Sequence, residues 1–154
     1  MIKNLQISFE NNCRLDKKLV NEIVKNLKTK LNFEIESMDI NFVSKNSIWE
    51  VNEKFLKHNY PTDIITFNYS GKNDSLDGEI FICPEVAVEN AVTYKCSVDN
   101  EILRLIVHGF LHLLGYDDIN EEDRKEMKTI EDSTVLNFEK YLENKSFGYD
   151  SKTC

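Results

Sequence analysis

The length and the charge of this chain exclude several classes of protein. It has 154 residues, 41% of them hydrophobic, and a formal net charge of −8 at pH 7. A chain of this length forms one compact domain with an ordinary core, and its acidic character excludes a protein that coats nucleic acid by neutralising phosphates along its whole surface. No stretch approaches the 18 apolar residues of a membrane span and no export signal is evident, so we expect a cytoplasmic protein with no membrane association.

The four cysteines are widely spaced along the chain. Cys13, Cys83, Cys96 and Cys154 form no CxxC pair, which excludes a zinc ribbon and a thioredoxin-like redox motif. In a cytoplasmic protein of this size we expect all four thiols to be reduced.

The first half of the sequence predicts two strand-and-helix pairs. Residues 3–10 alternate between apolar and polar side chains, which is typical of a half-buried strand, and the leucines of residues 15–31 recur at helical spacing. Residues 38–44 form the second predicted strand. Residues 47–56 predict a short helix with Ser47 as its N-cap.

The second half predicts two further strands and three helices. Residues 63–69 and 79–83 are rich in β-branched and aromatic residues, and the loop between them indicates that they pair. Pro84 opens a helix at a position where its missing N–H does no harm. Residues 99–115 are apolar over most of a helix circumference, which predicts burial, and residues 120–142 form a last helix with an acidic first turn.

The order βαβαββααα predicts one α+β domain. We expect a four-stranded sheet, mostly antiparallel or mixed, that packs against helices, with the apolar helix buried at the centre. The predicted domain covers residues 1–143. Residues 144–154 are predicted to form a poorly ordered tail.

The predicted buried helix carries two histidines that can share a metal ion. His108 and His112 lie four residues apart, so their rings project from one helix face. Gly115 suits a left-handed turn after the helix, and this turn would bring Asp118 back towards the two rings. Three protein ligands with a fourth position open to water are typical of catalytic zinc.

Other interpretations of this segment are weaker. The histidines could be hydrogen-bonded core residues, but two buried imidazoles beside a carboxylate favour a common partner. The spacing HxxxHxxGxxD also matches the ligand frame of metzincin proteases, yet Gly109 stands where those enzymes carry the glutamate that serves as general base. A reaction in which a metal activates water or polarises a phosphoryl oxygen does not need that glutamate.

The segment HGFLHLLGYDD, residues 108–118, resembles the HGxLHLxGYDH signature of the YbeY family of bacterial endoribonucleases. Residues 51–69, 78–83 and 125–132 are similar to further family segments, so the resemblance spans roughly residues 40–132. The resemblance implies a zinc-dependent endoribonuclease, specific for single-stranded RNA. It also implies action on ribosomal RNA of the small ribosomal subunit, in ribosomal RNA maturation and ribosome quality control.

Several positions depart from the family pattern. Asp118 stands in place of a third histidine, which would shift the metal preference towards harder divalent ions. Leu56 stands where the resemblance implies an arginine for the RNA phosphate, and Glu79 replaces an aspartate. Lys57 or His58 could supply the missing phosphate contact, although exposed residues of these types are usually only solvated.

Three further residues are candidates for supporting roles. Thr62 and Asp63 could orient a metal-binding histidine through its free ring N–H; the alternatives are a turn residue and a cap. Asp117 is a weak candidate for a general base, and the alternative is a solvated helix cap. A second function is a metal-stabilised ribosome-binding or assembly factor with little hydrolysis, which the missing arginine favours, and a protease is the weakest option.

Overall fold

The computed structural model describes residues 2–56 and 62–154, and its elements follow the predicted order. Lys57 and His58 lie outside the described residues. The strands and helices are β1 (Leu5–Phe9), α1 (Lys17–Leu31), β2 (Glu34–Phe42), α2 (Lys45–Leu56), β3 (Ile64–Asn68), β4 (Ser75–Ile82), α3 (Pro84–Tyr94), α4 (Val98–Leu113) and α5 (Glu121–Phe138), followed by a 3-10 turn at Glu139–Leu142. The α+β prediction is therefore confirmed.

Two predicted helix ends are corrected by local hydrogen bonds. Helix α2 begins earlier than predicted, because Ser44 Oγ accepts a hydrogen bond from the backbone N–H of Ser47 at 3.2 Å. Ser44 is thus the N-cap, and Ser47 lies in the first turn. Helix α5 ends at Phe138, and the last predicted residues tighten into the 3-10 turn. Pro84 is the first residue of α3, as predicted.

The sheet is mixed, in the order β1-β2-β4-β3. Strand β2 pairs parallel with both β1 and β4, and only β3 and β4 pair antiparallel. The prediction of a mixed sheet is confirmed, whereas the mostly antiparallel option is wrong. A helix connects β1 to β2, which allows parallel pairing, and only the short β3–β4 connection makes a hairpin.

Helix α4 is buried against the sheet, as its apolar circumference predicts. Its side chains Ile102, Ile106, Val107 and Phe110 are fully buried. A Cβ atom at Gly109 would lie 3.0 Å from Ile64 Cδ1 and 3.2 Å from a methyl group of Ile80. The helix therefore approaches the β3–β4 hairpin more closely than a side chain at this position would allow.

The C-terminal residues pack on the domain, which corrects the prediction of a poorly ordered tail at residues 144–154. Phe147 is fully buried in the main core. Its carbonyl accepts a hydrogen bond from the backbone N–H of Asp16 at 2.8 Å, and its own N–H donates to Asp99 Oδ1 at 3.0 Å. The buried ring and the two backbone hydrogen bonds therefore anchor this segment to the domain.

Docking of the tail also brings two cysteines together. Cys13 and Cys154 form a disulfide, while Cys83 and Cys96 are free thiols. The expectation of four reduced thiols is therefore wrong for one pair. The two partners are 141 residues apart, so no local spacing could have revealed them. No helix in the described part of the chain is long and apolar enough to cross a bilayer.

We predict that Gly109→Ala destabilises the domain. The added methyl group would lie 3.0 and 3.2 Å from methyl groups of Ile64 and Ile80, so these side chains must shift. Overpacking costs about 1–3 kcal/mol, and the better helix propensity of alanine offsets about 1 kcal/mol of this cost, so we expect a net loss of up to about 2 kcal/mol. The free energy of unfolding in urea measures the effect. The control is Val92→Ala on the exposed surface of α3, which should change stability by less than about 0.5 kcal/mol; equal stability of the two variants would contradict the close approach.

Candidate metal centre and its cleft

The predicted ligands meet where α4 ends. His108 and His112 lie on α4 with their ring centroids 4.7 Å apart, and His112 Nε2 lies 3.7 Å from Asp118 Oδ2. One ligand atom from each of the three residues lies within 4.8 Å of the others. Within residues 2–56 and 62–154, no other group of His, Cys, Asp and Glu has this geometry.

The turn after α4 has the geometry that places Asp118. Gly115 has a φ of +100°, a left-handed conformation that favours glycine. The backbone N–H of Gly115 donates to the carbonyl of His112, and that of Tyr116 donates to the carbonyl of Leu111, both at 3.0 Å. These two bonds form a Schellman motif, which reverses the chain just after a helix. The predicted role of the glycine is thus confirmed.

A glutamate that the sequence analysis did not single out holds the first histidine. Glu131 on α5 places Oε1 2.5 Å from His108 Nδ1. Its other oxygen, Oε2, accepts a hydrogen bond from Arg104 at 2.7 Å, and Arg104 also donates to Asp132 at 2.7 Å. A carboxylate on one ring nitrogen fixes the orientation of the imidazole, which leaves Nε2 of His108 as the atom for an ion.

The surroundings give the two histidines different protonation behaviour. Burial lowers the pKa of His108, but the hydrogen bond and the charge of Glu131 outweigh burial, so the net shift is upward. Burial and the nearby His108 lower the pKa of His112. The lowered pKa of His112 favours the neutral form that binds metals, whereas the raised pKa of His108 makes an ion compete with a proton there more than at an ordinary histidine.

Asp63 and Thr62 do not orient a histidine through a hydrogen bond in the described part of the chain. Asp63 Oδ2 accepts from the amide Nδ2 of Asn90 at 2.9 Å, and Thr62 Oγ1 lies 3.5 Å from Asp63 Oδ1. Glu131 takes the position that the prediction gave to Asp63. The carboxylate of Asp63 acts on His108 only through its charge, which raises the pKa of that histidine.

Two other predicted residues have structural contacts. Asp117 Oδ1 accepts hydrogen bonds from the backbone N–H groups of Asp118 and Ile119, at 2.7 and 3.1 Å, so it serves as a turn cap, the alternative to a base. Glu79 accepts from Asn41 and from the Tyr69 hydroxyl. That second hydrogen bond, with burial, raises the pKa of Tyr69 to about 12.

The candidate metal centre opens into two adjoining cavities. The smaller, of about 320 Å³, contains all three ligands together with Leu56 and Thr62. The larger, of about 520 Å³, lies between α3, α4 and α5. Asp63, Ile64 and His108 line both cavities. Leu56, 43% exposed, therefore faces the site where the resemblance implies an arginine, and it offers no charge to an anion.

A buried carboxylate in the larger cavity gives a pH-dependent prediction. Glu101 is 3% exposed, and burial raises its pKa from the ordinary 4.5. The folded chain therefore binds the carboxyl proton of Glu101 more tightly than the unfolded chain does. Protonated Glu101 stabilises the fold fully below pH 4.5, and this stabilisation is lost as the pH rises through the folded-state pKa.

We expect wild type to lose stability relative to Glu101→Gln as the pH rises from about 4.5 to about 7.5. Urea unfolding in the presence of a chelator measures this difference without any contribution from metal binding. Glu126→Gln, on the exposed surface of α5, is the matched control and should show no such trend. A constant difference for Glu101→Gln would contradict the effect of burial.

Removal of the Glu131 carboxylate should weaken metal binding without touching a ligand. We expect Glu131→Ala to lose about 10- to 100-fold in zinc affinity, as is typical when the partner of a metal-binding histidine is removed. Glu131→Gln keeps an acceptor oxygen and should lose less. Competition with a chromophoric chelator measures both zinc affinities, and Glu126→Ala is the control. If Glu131→Ala bound zinc as tightly as wild type, His108 would not need the Glu131 carboxylate.

Comparison with known proteins relates this site to a family. Residues 2–139 match the family model of Endoribonuclease YbeY. Proteins of that name from Chlorobium phaeobacteroides and Bacteroides thetaiotaomicron are 38% and 34% identical to the chain. The two matches cover 83% and 79% of this chain and 89% and 88% of those proteins.

The fold has a counterpart among solved structures. The solution structure of a protein from Thermotoga maritima superposes with a TM-score of 0.67 at 28% sequence identity, covering 97% of this chain and 99% of that one. The fold, the signature around the histidines and the extent of these matches confirm the resemblance found in the sequence. The chain belongs to the YbeY endoribonuclease family.

Proposed function

We propose that the chain is a zinc-dependent endoribonuclease that hydrolyses a phosphodiester bond of single-stranded RNA. The observation that carries the proposal is the cluster of His108, His112 and Asp118, with ligand atoms within 4.8 Å of one another at the floor of a cleft. Relatives named as endoribonucleases extend over most of the chain, which supports RNA as the substrate.

The donor set fits a divalent ion. Two imidazole nitrogens and one carboxylate oxygen are ligands that zinc accepts, and three protein ligands leave the fourth position open. When bound in a site of this kind, zinc supplies an acidified water and polarises a phosphoryl oxygen. The carboxylate of Asp118 adds negative charge, so harder ions such as manganese compete better here than at a site of three histidines.

The chain's own residues prepare this centre. Glu131 fixes the ring of His108, and the lowered pKa of His112 keeps that ring neutral. Leu56 lines the cavity with an apolar side chain, which cannot bind the RNA phosphate, so another residue must do so. Lys57 or His58, which follow Leu56 directly in sequence, is the proposed phosphate contact.

We further propose that the substrate is ribosomal RNA of the small ribosomal subunit, in the cytoplasm, with a role in maturation and quality control. Family membership supports this part of the proposal. Proteins that recognise specific RNA sequences bind mostly to single-stranded segments, whose bases and phosphates can enter a cleft. An open cavity of about 320 Å³ at the histidines suits one phosphodiester of such a segment.

One observation favours a second function, a metal-stabilised ribosome-binding factor with little hydrolysis. The exposed side chain beside the metal centre is the uncharged Leu56. Without a bidentate guanidinium the transition-state charge of phosphoryl transfer receives less stabilisation. Cleavage assays and ribosome co-sedimentation of the same variants separate the two functions.

Loss of a metal ligand should abolish cleavage. We expect His112→Ala and Asp118→Ala to cut a single-stranded RNA at least about a hundredfold more slowly than wild type, because each loses one of three ligands of the reactive ion. The rate with added zinc measures this. Glu122→Gln, exposed on α5, should keep the wild-type rate.

Two results would contradict the enzymatic proposal. One is wild-type protein that carries zinc but leaves single-stranded RNA intact. The other is cleavage that survives in both ligand variants and in a chelator. Ribosome co-sedimentation that persists in the absence of any cleavage would select the binding factor instead.

A further inference from the structure

The larger cavity adjoins the candidate metal centre and is lined mostly by residues that the smaller cavity lacks. It shares His108 and Asp63 with the smaller cavity and extends between α3, α4 and α5. Its volume of about 520 Å³ exceeds what a single phosphate needs. A strand that places one phosphate at the histidines would therefore have room for an adjacent group here.

The charges of this cavity disfavour a second phosphate. Asp63, Glu101 and Glu131 all line it. Of the two cationic residues, Arg104 already bonds Glu131 and Asp132, and Lys128 lies on the exposed rim, 3.7 Å from Asp132. Each cationic group of the lining is therefore already paired with a carboxylate, which leaves little positive charge for a second phosphate and suits a neutral group of the RNA.

The polar lining instead offers hydrogen-bond acceptors. Asn90 donates its amide to Asp63, and Asn100 donates its amide to Glu139. With their amide nitrogens engaged in this way, Asn90 and Asn100 have their amide oxygens to offer a ligand, and such oxygens accept from the N–H groups on the edges of nucleobases.

An exposed aromatic ring completes the site. Tyr94, at the end of α3, lines the cavity although its side chain is 71% exposed. An exposed tyrosine beside acceptor groups can stack against a base, and stacking of this kind recurs wherever proteins bind single-stranded RNA.

We propose that this cavity binds one unstacked nucleobase of the RNA, with its face on Tyr94 and its edge towards Asn90 and Asn100, while the adjoining phosphate lies at the metal centre. The inference rests on the proposed function, because it takes RNA as the substrate. It adds a base-binding subsite that positions the scissile bond and restricts cleavage to strands whose bases can leave the stack.

The test compares the RNA affinity of zinc-loaded wild type with that of Tyr94→Ala. We expect Tyr94→Ala to bind a labelled RNA hexamer about 5- to 150-fold more weakly, since one stacked base contributes about 1–3 kcal/mol. Tyr94→Phe keeps the ring and should bind within about twofold of wild type. Fluorescence anisotropy, read before a tenth of the RNA is cut, measures these affinities.

Val92→Ala is the matched control, because Val92 lies on the same helix, is 76% exposed and does not line the cavity. A set of hexamers with a single abasic unit then locates the base. At one position the abasic unit should weaken binding by wild type clearly more than it weakens binding by Tyr94→Ala, which has already lost the stacking contact.

The outcomes separate this inference from the proposed function. Wild-type affinity in Tyr94→Ala, or equal weakening by Val92→Ala, overturns the subsite even if cleavage proceeds normally. Binding of RNA that depends on Tyr94 but is never followed by cleavage supports the subsite and contradicts the proposal that the chain is an endoribonuclease. Failure of zinc-loaded wild type to bind any hexamer overturns both.

Discussion

The close packing of α4 against the β3–β4 hairpin is the constraint on which the site depends. Gly109 lies between the two histidines in sequence, and the absence of a side chain there lets the helix approach Ile64 and Ile80. This contact fixes the axis from which His108 and His112 project. It also explains why the position that carries a glutamate in metzincin proteases has no functional side chain here: the hairpin occupies the space.

Helix α4 also packs against α5. The two helices bring Glu131 to His108 and Arg104 to Glu131. This chain of contacts holds one histidine in a set orientation, while burial keeps the other neutral. The helix pair therefore determines both the geometry and the protonation of the candidate ligands, and the Schellman turn at Gly115 adds the third ligand.

Local patterns in the sequence predict the parts of the molecule that local physics determines. The helical spacing of the two histidines is enough to predict that their rings lie on one face, and the glycine turn is enough to predict that Asp118 returns towards them. Contacts between distant segments were missed: Glu131 follows His108 by 23 residues, and only the packing of two helices makes them neighbours. The parallel pairing of β2, the burial of Phe147 and the Cys13–Cys154 disulfide depend in the same way on how the segments pack together.

In the proposed site, two imidazoles and one carboxylate bind the ion. X-ray absorption spectroscopy at the zinc edge of the metal-loaded protein can identify these ligands. We expect a first shell of nitrogen and oxygen at about 2.0–2.2 Å with the outer-shell scattering of two imidazole rings. A sulfur shell at about 2.3 Å would place the ion on the free cysteines, and a spectrum without imidazole scattering would remove the histidines from the site.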